Sequence, residues 1–272
     1  WSSDVCSSDL LPFFVDRFGL VSSAWANVLG IGITSALFLA TLVREYAAHQ
    51  GSWAPRWGVI RSQLVMGRDL ILRSMSFQIS MLAAAAVAGR FGVAALAAHQ
   101  ILLQLWNFLT LVLDSLAIAA QTLTGSALGR GEVTQARRVG EFATRYSMVF
   151  ASVLALVFAL AGRGIWALFT RDPDVVNQLV VPWWMLVVMI VVGGVVFALD
   201  GALLGAGDVA FLRTLTIASV LGVFFPVTLA ALAFGWGLPG VWAGLLASVV
   251  IRLAGVVVRF RSMKWAIAGE AV

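Results

Sequence analysis

The sequence predicts an all-α polytopic membrane protein with seven transmembrane helices. Three observations carry that prediction. The chain of 272 residues is 61% hydrophobic and only 11% charged, whereas soluble domains carry roughly 25% charged residues. Its mean hydropathy is +0.97. Its apolar residues also fall into seven runs, separated by Gly, Pro or charged residues, and each is near the roughly 20 residues needed to cross a bilayer. This composition excludes a soluble fold. The formal net charge of +5 is no nucleic-acid signal in such a chain, because excess Lys and Arg collects in cytoplasmic loops. The single cysteine, Cys6, excludes an intramolecular disulfide and a multi-cysteine metal site.

Residues 1–10, WSSDVCSSDL, lack an initiator Met and have neither the n-region nor the h-region of a signal peptide. They read as a non-native, adapter-derived segment, and the rest as a chain that begins inside a larger protein. The first span is expected over 18–43, and a polar connector with Pro55, Arg56, Arg61 and Arg68 follows over 46–68. The second span, 69–91, carries Arg73, Ser74, Ser76, Gln78 and Ser80 and so has a polar side. A short link at Gly92 leads into the third span, 94–123, and then a loop over 125–145 that is Gly-rich, then basic. The fourth span, 146–168, is interrupted by Gly162-Arg163-Gly164. Asp172 or Asp174 is placed to cap the fifth, 179–204, and the GAGD at 205–208 stops it. The sixth, 209–234, contains Pro226, which predicts a kink that membrane helices tolerate when neighbours satisfy the freed carbonyl. The seventh, 241–259, runs into the basic end RFRSMK.

Seven alternating spans make the basic residues a test of topology. With the 46–68 connector on the cytoplasmic side, twelve basic residues are cytoplasmic and four (Arg17, Arg90, Arg163 and Arg171) are opposite, while Arg73 and Arg252 lie within spans. The prediction is a cytoplasmic C-terminus in the cell's inner membrane. Of seven tryptophans, Trp25, Trp166, Trp183, Trp184, Trp236 and Trp242 fall near span ends and read mostly as an interfacial belt, while Trp106 lies deeper.

The residues that could carry function sit within the spans. Gln100, Gln104, Asn107, Asp114 and Gln121 follow one another at gaps of 4, 3, 7 and 7, which places all five on one helix face. Lipid cannot solvate such a stripe, so it must face protein or a water-filled path. Asp200, in FALDGALLG, is costly to keep ionised unless paired or hydrated, and a group that changes protonation with access suits a proton-coupled carrier. Asp114 contacts a cation or substrate, or else bonds to another helix, with Arg73 as the candidate partner. Arg73 and Arg252 snorkel or pair. Gln78 bonds a substrate or a neighbouring helix. His99 reads as a satisfied interfacial side chain. No P-loop, GxSxG, HExxH or Cys/His cluster is present in the sequence, so no cofactor is expected and any transport runs on an ion gradient.

The segments AAHQILLQLWNF (97–108), LDSLAIAAQTLTGSALGRGE (113–132), QARR (135–138), FALDGALLGAGD (197–208) and GLPGVWAGL (237–245) together resemble the multidrug and toxic compound extrusion (MATE) family, DinF-like branch. The resemblance implies two six-helix lobes around a central cleft. Residues 11–45 then correspond to the last helix of the N-terminal lobe, 46–68 to the interlobe connector, 69–260 to the C-terminal lobe and 261–272 to a cytoplasmic tail. It also implies a non-enzymatic antiporter that exports cationic or lipophilic small molecules against protons or sodium ions, surrounded by membrane lipid and monomeric at full length. Asp200 matches a cation-coupling acid of some branches. Gln78 stands where a partner glutamate is expected, which departs from a carboxylate pair. A lipid-linked oligosaccharide flippase of the same superfamily is the alternative, and a membrane-embedded enzyme or receptor a more distant one.

Overall fold

The computed structural model describes residues 20–48 and 57–266. Residues 1–19, 49–56 and 267–272, which include the expected adapter segment, part of the connector and half of the tail, lie outside the described residues. The chain divides into two units, one ending at Arg56 and one starting at Trp57. The first holds α1 (Leu20–Ala48), with the apolar stretch Val28–Arg44. The second is the helical lobe, with α2 (Trp57–Arg90), α3 (Val93–Gly129), α4 (Val133–Phe169), α5 (Pro173–Gly205), α6 (Val209–Ser219), α7 (Phe225–Phe234) and α8 (Gly237–Arg261). A π-helical turn, Val220–Phe224, joins α6 and α7 into one rod. Among the described residues six helical rods are long and apolar enough to span a membrane, all within the lobe.

α5 is the axis of the lobe: α3, α4 and α8 all pack on it. Without a hydrophobic drive between helices in lipid, such packing depends on close backbone approach over small residues. α5 carries Gly201 and Gly205 four residues apart, and a Cβ on either would overlap a backbone carbonyl of α3, at Ala117 and Gln121 respectively. One turn pair further along, a Cβ on Gly194 would collide with Ala151 and the Ser147 backbone of α4. The glycines at 193–205 therefore let two neighbours touch the α5 backbone.

The ends of α3 and α5 share one geometry. In ALGRGE (127–132), Glu132 N–H donates to the Ala127 carbonyl and Gly131 N–H to Leu128, both at 2.9 Å. In LLGAGD (203–208), Asp208 donates to Leu203 and Gly207 to Leu204, both at 3.0 Å. Each is a Schellman turn closed by a glycine at φ +77°. This reduces the expected loop at 125–145 to a tight turn. α4 starts at Val133, so most of its basic residues stand on a helical extension. At 37 residues α4 is about 55 Å long, well beyond the roughly 30 Å hydrocarbon core.

Other local expectations resolve similarly. Asp172, not Asp174, caps α5: its carboxylate accepts from the Asp174 N–H at 2.9 Å, with Pro173 at the first helical position. Pro226 produces the π-helical turn just before it, where Phe225 N–H reaches back to the Val220 carbonyl. The Gly162-Arg163-Gly164 segment does not interrupt α4. Gly162 instead makes room for Trp183, whose Nε1 would lie 2.9 Å from a Cβ there. Trp183 and Trp242 are fully buried core residues rather than belt residues, while Trp184 and Trp236 are exposed.

Candidate functional site

Three helices meet at one carboxylate oxygen. Asp200 on α5 is buried, and its Oδ2 accepts from Arg73 of α2 at 2.5 Å and from Arg252 of α8 at 2.6 Å. Arg252 is itself buried, and its guanidinium lies over the Phe77 ring at 4.8 Å. Two guanidinium groups thus compensate a charge that would be costly at membrane depth alone. Asp200 Oδ1 and Arg252 Nε have no protein partner. Arg252 also lines a small, mostly apolar cavity into which Ser80, Thr216, Ser219 and Ser248 bring hydroxyl groups.

Asp114 completes a group of four charges. It is partly exposed on α3 and close enough to interact electrostatically with both Arg73 and Asp200. The expected pairing of Asp114 with Arg73 is not formed among the described residues, because Arg73 is taken by Asp200. Arg252, too, is paired with Asp200 rather than snorkelling. Arginine inside an apolar span is the signal that marks it as a member of the cluster.

The amides of the stripe lie on the same open face of α3 as Asp114. Gln100, Gln104, Asn107 and Gln121 are all exposed along α3, as is Gln78 on α2. The buried residues of α3 lie on its opposite side, against the core. The polar side expected of the second span is partly self-contained: Ser76 and Ser80 donate to the Leu72 and Phe77 carbonyls of their own helix. His99 is buried, and its Nδ1 accepts from the Trp242 indole at 3.2 Å. It is a core residue rather than an interfacial one. Trp106 packs edge-on against Phe197 at 6.5 Å in the core. Among the described residues no group of three His, Cys, Asp or Glu side chains could hold a metal ion.

Six membrane-length rods, with α3, α4 and α8 packed on the axial α5 and a charge cluster bridging α2, α5 and α8, define a polytopic α-helical membrane lobe. The MatE family profile matches residues 70–230, more than half of the chain, and the chain belongs to that family. It is 27% identical to Protein DETOXIFICATION 45, chloroplastic, of Arabidopsis thaliana over 94% of this chain and 45% of that one. It is 30% identical to DNA damage-inducible protein F of Escherichia coli over 72% of this chain and 42% of that one. The chain thus spans less than half the length of these relatives. A solved outward-facing conformation of a multidrug resistance MATE family transporter of the MOP superfamily shares the fold, with a TM-score of 0.83 at 20% identity over 97% of this chain and 61% of that one.

Proposed function

We propose that this lobe works in a DinF-like secondary antiporter that exports cationic or lipophilic compounds against protons or sodium ions. The observation that carries the reading is the clasp of Arg73 and Arg252 on a single oxygen of Asp200, which ties α2, α5 and α8 together. Adding a proton to that carboxylate removes the charge that holds both guanidinium groups. The tie between α2 and α5 then loosens, and access to the cleft changes with it. Asp114 and the exposed amides of α3 are the groups that meet substrate, the acid for its positive charge and the amides for orientation. A second six-helix lobe supplies the facing wall. The 30% identity to DNA damage-inducible protein F supports the branch. No bound cofactor takes part; the ion gradient supplies the work.

The orientation follows from charge. At the end of the lobe where α2, α4 and α6 begin lie Arg61, Arg68, Arg130, Arg137, Arg138, Arg145, Arg213, Arg259, Arg261 and Lys264; at the other lie Arg90, Arg163 and Arg171. Ten against three puts the first end in the cytoplasm, in the inner membrane of a cell. Surrounding lipid is its only other partner in the proposed monomer.

A flippase of lipid-linked oligosaccharides would need free cationic groups in the cleft to hold a pyrophosphate. Arg73 and Arg252 both point at Asp200 instead, which favours the exporter. In full-length protein reconstituted in liposomes, Asp200→Asn is expected to lower proton-driven export of a fluorescent lipophilic cation by at least about tenfold, equivalent to ~1.4 kcal/mol of barrier, and to flatten its pH dependence. Unchanged transport with an unchanged pH profile would remove Asp200 from coupling.

A further inference from the structure

A second polar feature lies away from the charge cluster, on the outer side of the lobe. α4 and α8 each pack on α5, and they meet one another where the Phe260 ring lies against Gly140. The gap between them is a groove of about 370 Å³. Its mouth is formed by Arg137, Arg145 and Arg261, and its apolar wall by Met148 at the rim and Val195, Leu199 and Val257 further in. We propose that this groove binds one anionic phospholipid, with the phosphodiester between Arg145 and Arg261 and an acyl chain along the apolar wall.

Four observations converge. First, Arg145 and Arg261 are exposed and form no ion pair among the described residues. Arg137 is held by Glu141 at 2.9 Å, so the mouth keeps a net charge of +2, from three arginines less one glutamate. A free guanidinium fork matches phosphate oxygens in geometry as well as charge.

Second, both free arginines sit at the end of apolar runs. Arg145 directly precedes Tyr146, 70% exposed, and the outward-facing Met148, Val149 and Phe150; Arg261 lies one turn beyond the apolar run 256–258 of α8. An exposed tyrosine beside arginine at such a boundary marks headgroup depth. Basic pockets between transmembrane helices at that depth suit anionic headgroups.

Third, the groove is preformed. A Cβ on Gly140 would overlap the Phe260 ring, so the glycine admits that ring against α4. Phe260 is stacked on Trp265 at 5.2 Å, and Trp265 Nε1 donates to the Phe260 carbonyl at 2.9 Å. The floor is therefore fixed in place.

Fourth, the deep part offers little to a soluble phosphate ester. The Thr144 hydroxyl is already donated to the Gly140 carbonyl at 2.7 Å, and the rest is hydrocarbon. A lipid uses both halves of the groove; a free phosphate uses only the mouth. A zwitterionic lipid would return a cation to an already cationic mouth, which selects phosphatidylglycerol or cardiolipin over phosphatidylcholine.

The test is native mass spectrometry of the chain purified in detergent, with phosphatidylglycerol and phosphatidylcholine of matched acyl chains. One phosphatidylglycerol is expected to be retained in preference to phosphatidylcholine. Each arginine near a membrane surface is worth about fivefold in anionic-lipid binding. Arg145→Gln with Arg261→Gln should therefore lower the preference about 25-fold, while Arg163→Gln with Arg171→Gln, at the opposite end, leaves it unchanged. Val257→Trp, which fills the apolar wall without changing charge, should also weaken retention. An unaltered preference in the 145/261 double variant overturns the proposal, as does full retention in Val257→Trp. Displacement of the lipid by excess inorganic phosphate also overturns it, since the site would then serve a free anion.

Discussion

α3 and α5 are the same kind of helix put to opposite uses. Both are long and apolar, both end in a Schellman turn with a glycine at φ +77°, and each carries one aspartate within its apolar run. On α5 nearly every residue from Ile190 to Leu203 is buried or partly buried, and Asp200 is held by two arginines. On α3 one face is packed and the other carries exposed amides, with Asp114 partly exposed and unpaired among the described residues. Burial decides the difference. A charged side chain inside the lobe needs a partner from another helix, whereas a polar one on the exposed face of α3 can be left open to water. The matched turns also set the correspondence between the helices: Thr124 stands at the place of Asp200, because 124–132 aligns with 200–208 through the glycine pairs 125/201, 129/205 and 131/207.

The largest effect is expected from breaking the α5 side at its crossing with α3. Gly201→Leu puts a side chain where the Ala117 carbonyl lies. No rotamer relieves an overlap at Cβ, so the cost should exceed the ~1–3 kcal/mol typical of overpacking. The variant should fail to accumulate as folded protein by fluorescence-detected size exclusion, whereas Gly129→Ala on α3, which meets open space, should accumulate normally. Equal yields of the two would show that the close crossing does not hold the lobe together.

The next effect down is on the clasp. Arg252→Met leaves Asp200 with one guanidinium instead of two, and removing one member of a buried ionic group costs about 3–5 kcal/mol. Arg252→Met combined with Asp200→Leu removes the charges together and should recover much of that loss. A thermal-melt cycle in detergent gives the coupling directly, and strictly additive changes would mean that the 2.6 Å contact contributes nothing to stability.

Much of this contrast was legible in the residues and some was not. Helix number, the polar stripe of α3, the isolation of Asp200 at depth and the charge bias between the two ends follow from composition and period. The clasp does not, because Arg73 and Arg252 lie 127 and 52 residues from Asp200, and a single sequence carries no distance between them. The GxxxG of Gly201 and Gly205 was readable but masked by its overlap with the helix-stop motif GAGD. Trp183 and Trp242 lie near span ends in sequence yet are core residues, because the helices extend past the hydrocarbon and pack there as well. The basic stretch after Gly129 reads as loop by its glycines and charge. It is helical because the turn at 130–132 satisfies the end of α3 and frees α4 to start at once.

The smallest effect on stability, and the most specific for function, is expected on the α3 side. Gln104→Ala removes an exposed amide that has no partner among the described residues, so stability should change by no more than about 0.5 kcal/mol. Asp114→Asn should cost little more, since its only neighbours in the cluster are charges it does not bond. In the full-length transporter, Asp114→Asn should raise KM for a cationic substrate while leaving KM for a neutral lipophilic one unchanged, and Gln104→Ala should shift both modestly. This split separates the two helices: a variant of α5 acts through the clasp on every substrate, whereas a variant of α3 acts through contact and so depends on the charge of what is carried. An equal change in KM for cationic and neutral compounds in Asp114→Asn would place Asp114 with Asp200 in the scaffold and leave the amides alone as the cleft wall.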